Sequence, residues 1–268
     1  MASRVLASLL LAFLLLPTLP ARAQAPDTVF LEDLTWTEVR DQIRSGKTTL
    51  IIPIGGTEQS GPHMVLGKHN ARAKTLSAKI ARGLGNALVA PVIAYVPEGS
   101  ASPPSGHMRF AGTITVSDAT FTQMLESAAR SFKVHGFRDI VFLGDHGGYQ
   151  AQEKAAADKL DREWAATPVR AHAIMEYYRV TETDYAQALK SRGYSEEEIG
   201  THAGLADTSL ALAVDPSLVR SDAMQAPPDA KAGVHGDPRR SSAALGQIGV
   251  DLIVAKTVAA INAATARH

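Results

Sequence analysis

The chain contains no cysteine among its 268 residues. This absence excludes a thiol nucleophile, disulfide bonds and cysteine-ligated zinc. An excess of one charge is also lacking, because 27 basic and 27 acidic residues give a formal net charge of zero. A nucleic-acid-binding domain would need a strongly basic face, so we expect no nucleic-acid partner.

Two familiar motifs are missing as well. The G-x-S-x-G turn that presents a nucleophilic serine does not occur. The G-x-G-x-x-G fingerprint of dinucleotide-binding folds is also absent, which argues against a nucleotide-binding α/β enzyme. Any chemistry must therefore come from oxygen and imidazole side chains.

The first 23 residues have the layout of a secretory signal peptide. Arg4 precedes an apolar run from Val5 to Leu16, and the small-residue site Ala21-Arg22-Ala23 follows. The run is short for a membrane span of about 20 residues. We therefore expect cleavage after Ala23, a periplasmic or secreted protein, no membrane attachment after cleavage, and a single catalytic domain over residues 24–268.

The remainder alternates between helical and strand patterns. Helical spacing is predicted at 36–46, 70–83, 118–134, 150–164, 204–214 and 243–264, and buried strands at 49–56, 87–96, 139–144 and 168–177. This alternation predicts an α/β fold with a mostly parallel sheet and helices on both faces. Ligands of such sheets bind beyond the carboxyl ends of the strands.

The most polar glycine-rich stretches lie at those strand ends. GGTEQSGPHMVLGKHN follows the first strand and carries Glu58, His63 and His69, and GDHGGYQ follows the third and carries His146. A later segment, THAGLADTS, adds His202 and Asp207. Carboxylates and imidazoles of this kind suit zinc or manganese.

Each of these residues also has an ordinary structural interpretation. The first stretch can be a polar loop, and Asp145 can cap the helix after His146. Asp207 can hydrogen-bond its neighbours, since a buried carboxylate needs a partner of some kind. His107 can line a pocket or close a loop.

The motifs, taken in order, resemble those of the creatininase (creatinine amidohydrolase) family. The resemblance rests on GGTEQSGPHMVLGKHN, AGTIT at 111–115, GDHGGY at 144–149, HAGLADTS at 202–209 and GVHGDP at 233–238. These segments span nearly all of the chain after the leader. The resemblance implies a three-layer α/β/α fold, a two-metal amidohydrolase site and frequently a hexamer.

Carried over by position, the resemblance makes Glu58 and His146 metal ligands and His202 a proton-handling residue. Four positions depart from the family pattern. Ser60 stands where the family usually has a metal-binding histidine, and His69 stands where it has the aspartate that bridges two metals. Leu205 replaces a glutamate, and Asp207 shortens the next one. Serine is a poor zinc ligand, so we expect one tight metal and an uncertain second one.

The prediction assigns a role to each candidate. The metal ligands are Glu58, His69, His146 and Asp207; the catalytic residues are His202 and Asp145; the substrate-binding residues are His63, His107, Gly147 and Gly148. Zinc is the first expectation for the metal and manganese the second.

The predicted function is hydrolysis of a C–N bond in a small cyclic or linear amide. A metal-bound hydroxide would attack the carbonyl, and His202 would deliver a proton to the leaving nitrogen. The departures at Ser60 and Leu205 leave creatinine open as the substrate. The alternative is a periplasmic small-molecule binding protein that keeps the fold without catalysis. A homo-oligomer, possibly a hexamer, is expected in either case.

Overall fold

A computed structural model describes residues 26–266, so the predicted signal peptide lies outside the described residues. Within this part of the chain, four strands form one sheet in the order β2–β1–β3–β4, with every pairing parallel. The strands are β1 Thr49–Ile54, β2 Ala87–Val89, β3 Asp139–Gly144 and β4 Arg170–Ala173.

Helices follow or connect these strands. Over residues 26–266 they are α1 Trp36–Arg44, α2 Lys68–Leu84, α3 Asp118–His135, α4 Gln150–Glu163, α5 Glu176–Val180, α6 Ala186–Lys190, α7 Glu196–Ile199, α8 Leu205–Val214, α9 Ser221–Met224 and α10 Ala243–Thr265. The predicted start of α3 is confirmed in detail, because the Ser117 hydroxyl accepts a hydrogen bond from the Thr120 N–H at 3.1 Å.

The sheet separates two hydrophobic clusters, which makes the fold a three-layer α/β/α sandwich as predicted. Successive residues of a strand point to opposite faces, so Ile51 and Val141 enter one cluster while Leu50 and Ile140 enter the other. The first cluster packs against α2, α5, α8 and α10, and the second against α1, α3 and α4.

β1 ends two residues earlier than predicted, and two other predicted strands are shortened much more. β2 ends at Val89, before Pro91, whose ring nitrogen has no proton to donate to a sheet. The chain then makes only an isolated parallel bridge between Ile93 and Ile54. β4 ends at Ala173, and the residues predicted to extend it enter α5.

The sequence analysis missed the helical segment from α5 to α6. A π-helical turn at Thr181–Tyr185 joins the two helices, and the buried residues Tyr177, Val180, Tyr185 and Leu189 are spaced by three, five and four. The step of five departs from the usual spacing of an α-helix, which hides the pattern in the sequence.

Among the helices of residues 26–266, one, α10, is long and apolar enough to cross a membrane by length and composition. A core helix with one buried face meets the same criteria, and α10 contributes Val250, Ile253 and Ile261 to the first cluster. Its contacts with α8, α5 and α2 assign it to the helical layer on that face of the sheet.

Candidate metal centre

Polar loops converge where β1, β2 and β3 end. Glu58 follows β1, Glu98 follows β2 and His146 lies just beyond β3. The buried hydroxyl of Tyr149 links two of these ends, because it lies 2.9 Å from the Ile54 carbonyl oxygen and accepts a hydrogen bond from the Asp145 N–H at 3.0 Å. The parallel sheet thus brings separate sequence segments to one edge.

Four side chains form a cluster at this edge: Glu58, Glu98, His107 and His146. One ligand atom from each lies within 4.8 Å of all the others. Glu58 Oε2 is 3.1 Å from His107 Nε2 and 3.3 Å from His146 Nε2, and Glu98 Oε2 is 3.9 Å from His146 Nε2. Glu98 approaches closely because Gly56 has no side chain; a Cβ there would lie 2.7 Å from Glu98 Oε1.

The cluster fits a divalent cation. Glu58 Oε2 and both Glu98 carboxylate oxygens are buried and have no hydrogen-bond partner in the described part of the chain. Unsatisfied buried carboxylate oxygens are costly, and a metal ion would satisfy them. Tetrahedral ligands at 2.0–2.1 Å from zinc lie about 3.3 Å apart, close to the separations around Glu58 Oε2.

The two glutamates differ in charge. Burial favours a neutral Glu58, but His69, His146 and Lys68 outweigh it and hold the pKa of Glu58 well below its usual value. Burial raises the pKa of Glu98 to about 8, with the Glu58 carboxylate adding to the shift and His146 opposing it. Two full negative charges close together are unfavourable without a cation between them, so the pair is poised to accept one.

His146 and His107 are oriented by further contacts. The Gly148 N–H donates to His146 Nδ1 at 3.1 Å, which turns Nε2 towards Glu58. The Gln59 side-chain nitrogen lies 3.0 Å from His107 Nδ1 and 3.1 Å from His202 Nε2. A ring that accepts at Nδ1 carries its proton on Nε2, so a cation bound by His146 and His107 would have to displace that proton from each ring.

His69, a predicted metal ligand, lies beside the cluster rather than in it. Its Nε2 is 2.8 Å from Glu58 Oε1 and its Nδ1 is 2.7 Å from Asp145 Oδ2. Arg72 Nη2 also faces Nδ1, at 3.1 Å, so protein groups engage both ring nitrogens. The His69 ring centre lies 5.3 Å from that of His146, but both of its nitrogens already have partners.

Asp207, the other predicted ligand outside the cluster, is bound by cations of the protein. Lys68 contacts its Oδ2, Arg72 Nη1 lies 2.8 Å from its Oδ1, and the Ala203 N–H donates to Oδ2 at 3.1 Å. Burial works against ionisation, but Lys68 and Arg72 hold the pKa of Asp207 well below its usual range. Both of its oxygens are engaged, so the structure gives Asp207 a structural ion pair.

Asp145, predicted as catalytic, also belongs to this buried network. Arg72 Nε lies 2.8 Å from its Oδ2, and the Tyr177 hydroxyl donates to its Oδ1 at 2.9 Å. Burial raises the pKa of a carboxyl, but Arg72, His69 and Tyr177 together lower the pKa of Asp145. Its contacts orient His69 and Arg72, and it lines neither of the cavities described next.

Two cavities open beside the cluster. The larger, of about 770 Å³, is lined by the predicted substrate-binding residues His107, Gly147 and Gly148. The smaller, of about 280 Å³, lies over Lys68, His69, Arg72 and Asp207. The two meet at His146, Tyr178, Thr201 and His202. Gly147 is required here, because a Cβ would lie 2.7 Å from the Tyr178 hydroxyl.

His202 borders both cavities. Its Nε2 lies 3.0 Å from the Gln59 carbonyl oxygen and its Nδ1 lies 3.9 Å from Glu58 Oε1. The Gln59 side-chain nitrogen, which can only donate, lies 3.1 Å from the same Nε2. In the tautomer whose Nε2–H donates to the carbonyl instead, Nδ1 is left with a lone pair facing the cluster. Burial and the nearby Lys68 ammonium lower the pKa of His202 to about 4, so the ring is neutral near pH 7.

His63, predicted to bind substrate, lies elsewhere. It is buried, its Nε2 is 2.9 Å from the Thr208 hydroxyl, and it lines neither cavity. It connects the loop after β1 to α8.

The sequence analysis missed three residues of the site. Glu98 is the first acidic residue after the second strand, so the rule that places ligands at strand ends would have found it. Lys68 and Gln59 gave no such signal. A lysine at the start of a helix is normally solvated, whereas Lys68 is only 2% exposed.

Fold and site together define a class: an α/β/α protein with a cluster of histidine and glutamate side chains, able to hold a metal ion, at the carboxyl edge of a parallel sheet. The sequence model of the creatininase family, described as creatinine amidohydrolase, matches residues 32–261. The chain therefore belongs to the creatininase family, and membership makes it a metal-dependent hydrolase of C–N bonds.

Individual relatives agree with this assignment. The creatinine amidohydrolase of Pseudomonas putida is 28% identical over 198 residues, covering 73% of this chain and 75% of that protein. A mutant creatininase in a Zn–Zn form is 25% identical, with a TM-score of 0.72 over 88% of this chain and 98% of that one. A manganese form of creatininase superposes over the same shares, with a TM-score of 0.73 at 24% identity.

Proposed function

We propose that this protein hydrolyses the C–N bond of a small cyclic or linear amide with the help of one tightly bound divalent metal. The observation that carries the proposal is the cluster of Glu58, Glu98, His107 and His146, which adjoins the cavity of about 770 Å³. His107 and His146 of the cluster line that cavity, so an ion held by the four side chains would adjoin a substrate there.

A bound metal would contribute two effects to the reaction. A divalent ion held by the four side chains would polarise a substrate carbonyl and lower the pKa of a nearby water. Zinc is our first choice and manganese our second, because both accept imidazole and carboxylate ligands. Within residues 26–266 one cluster of this kind is present, which supports a single tight site.

His202 is placed to move the proton. Its ring is neutral near pH 7 because burial and Lys68 lower its pKa to about 4. Its Nδ1 would first accept a proton from the attacking water and then return it to the leaving nitrogen. The Gln59 carbonyl, 3.0 Å from Nε2, holds the ring in this orientation and stabilises the imidazolium formed between the two steps.

We extend the proposal to the location, the oligomeric state and the substrate of the protein. The leader of residues 1–23 supports export to the periplasm or the medium. Family membership supports a homo-oligomer, and the hexamer implied by the sequence resemblance remains part of the proposal. The substrate would be a small amide, and creatinine is one candidate among several because Ser60 and Leu205 depart from the family pattern.

His202→Asn tests the proposed function. If His202 moves the proton, turnover of the metal-loaded enzyme should fall by about 10²–10⁴ while metal content and fold persist. The loss should shrink for amides with better leaving groups, which need less protonation. The comparison is a screen over lactams, hydantoins, creatinine and formamides, with metal stoichiometry measured in parallel.

The same screen separates catalysis from simple binding. His146→Ala should remove both metal and activity, because it deletes a ligand. A wild-type protein that holds a stoichiometric metal and binds these amides without turnover would instead be a binding protein. Full turnover in His202→Asn with metal retained would reassign the proton transfer to another group.

A further inference from the structure

The rim of the larger cavity carries two cations without partners. Arg109 lies at the end of the helical turn Gly106–Arg109, and Lys231 lies in the turn Ala230–Ala232. Both line the cavity, and both are exposed. Neither side chain makes a hydrogen bond or ion pair with any residue of 26–266.

No acid in the described chain competes for these cations inside the cavity. Its lining contains Arg109, Lys231 and four histidines but no aspartate or glutamate. Asp229 is close in sequence to Lys231, but it is not part of the lining and its carboxylate accepts the Lys231 backbone N–H at 2.8 Å. Glu58 and Glu98 are buried and do not line the cavity.

The buried cations beside the smaller cavity are arranged differently. Lys68 and Arg72 are neutralised by Asp145 and Asp207, so their charge is already balanced within the protein. The charge of Arg109 and Lys231 is available to a ligand. Two cations in a concave wall without acids raise the local concentration of anions and favour their entry.

The shape and charge of the two side chains favour a carboxylate as the bound anion. Arginine presents a planar fork that matches the two oxygens of a carboxylate, and lysine adds a second, less directional charge. Phe110 lies next to Arg109 in the same lining and offers an apolar surface for the carbon skeleton between the carboxylate and the amide.

We propose that Arg109 and Lys231 form a subsite for a carboxylate of the substrate, so that amides carrying a free carboxylate are preferred over neutral ones. This inference rests on the proposed amide hydrolysis and narrows its substrate class. The amide would lie at the metal cluster, and the carboxylate would point towards the cavity rim.

Matched pairs of compounds test the subsite. The metal-loaded enzyme would be assayed with 5-oxoproline against 5-oxoprolinamide, following ring opening, and with N-acetylglycine against N-acetylglycinamide, following acetate release. We expect kcat/KM to favour the carboxylate member of the accepted pair by about tenfold or more, the usual worth of a hydrogen bond to a charged group. The difference should appear mainly in KM, because the contact holds the ground state and transition state alike.

Substitutions then locate the preference. Arg109→Gln and Lys231→Gln should each reduce the ratio of kcat/KM between the pair members, and Arg109→Glu should reverse it. The matched control is Arg138→Gln, which removes an exposed arginine just before β3, at the opposite end of the sheet from the cluster, and should keep the wild-type ratio. Rising ionic strength should weaken the wild-type preference, since the site is open to solvent.

Binding measurements keep this inference separate from the proposed function. The same pairs would be titrated calorimetrically into the metal-loaded protein. Tighter binding of the carboxylate member, lost in Arg109→Gln, would support the subsite even if neither compound were hydrolysed, and amide hydrolysis would then be the part that fails. Equal hydrolysis or equal binding of both members, unaffected by Arg109→Gln, would overturn the subsite.

Discussion

The two carboxylate oxygens of Glu58 have different surroundings. Oε1 receives a hydrogen bond from His69 at 2.8 Å, while Oε2 faces His107 and His146 and has no hydrogen-bond partner within residues 26–266. The first contact fixes the side chain and the second leaves an oxygen for a cation. A fully buried carboxylate is otherwise expensive, so both tasks are needed to keep it at this position.

Glu98 provides the sharpest residue-level prediction. Glu98→Gln should lower metal affinity about 100-fold or more, since even contacts outside the ligand shell typically contribute 10–100-fold. Turnover should fall with metal occupancy and recover in part at high metal concentration. Calorimetric titration with Zn²⁺, beside turnover, measures both.

Glu126→Gln is the matched control for Glu98→Gln. Glu126 is also a buried glutamate, but it pairs with Arg130 and Lys159 on the outer side of α3. This control should keep wild-type metal affinity. Equal affinity in Glu98→Gln and wild type would remove Glu98 from the metal site.

At the scale of elements, α2 carries the cationic side of the buried ion-pair network. Lys68, His69 and Arg72 lie on its first turns and contact Asp145 after β3 and Asp207 on α8. These pairs join one helix to a strand end and to a second helix. The network therefore fixes the floor of the smaller cavity and, through His69, the position of Glu58.

Asp207→Asn tests whether this network is structural. Removing one partner of a buried ion pair leaves Lys68 and Arg72 undercompensated, so the free energy of unfolding should fall by about 3 kcal/mol. Metal content should stay at the wild-type level. Urea unfolding and elemental analysis measure the two effects.

The control for this variant is Asp158→Asn, which breaks an exposed pair with Lys154 and should change stability by less than about 1 kcal/mol. A loss of bound metal in Asp207→Asn, with stability unchanged, would instead restore Asp207 as a ligand. The two readouts thus distinguish the sequence-based role from the structural one.

Helix α4 carries a buried glutamate, Glu153, that has no cationic partner within residues 26–266. Glu153 is fully buried, its carboxylate oxygens have no hydrogen-bond partner in the described part of the chain, and burial raises its pKa to about 8. The folded protein therefore holds this proton at pH values where the unfolded chain has released it. Because the folded pKa is raised, stability should fall as pH rises from about 4.5 towards 8.

Glu153→Gln should flatten this decline. The contribution of Glu153 to the loss amounts to roughly 3–5 kcal/mol across the interval, because each pKa unit corresponds to about 1.4 kcal/mol. Denaturant unfolding at several pH values measures it, with exposed Glu197→Gln as a control that should keep the wild-type slope. Identical slopes in wild type and Glu153→Gln would show that Glu153 does not hold the proton.

At the scale of the whole molecule, the two cavities share a wall of four residues, which are His146, Tyr178, Thr201 and His202. These residues come from the loop after β3, from α5 and from the segment before α8. The segment before α8 is held by His202 and His235, whose backbones form an antiparallel bridge. The site is therefore assembled from most of the chain length, which agrees with a family match over residues 32–261.

Export is the prediction that concerns the whole chain. The mature protein should begin at Gln24, because Ala21 and Ala23 satisfy the small-residue cleavage rule. Intact-mass spectrometry of the protein recovered from periplasm or medium measures this. A leader still present in that fraction would favour an anchored protein.

The sequence by itself determined the fold class and the position of the site along the chain. Periodicity located α2, α3, α4, α8 and α10, whose apolar residues recur at helical spacing. Short continuous apolar runs located β1 and β3, which are buried almost throughout. Strand ends marked by glycine, glutamate and histidine indicated Glu58 and His146, since parallel strands place their carboxyl ends at one edge.

Only the tertiary structure decided how the side chains at that edge share their partners. A histidine or an aspartate in a sequence offers the same atoms whether it meets a metal or a buried cation. His69 and Asp207 could not be distinguished from ligands until Asp145, Lys68 and Arg72 were found within hydrogen-bond distance of them. His107 entered the cluster because loops far apart in sequence meet at this edge, and such long-range contacts leave no periodic trace in the chain.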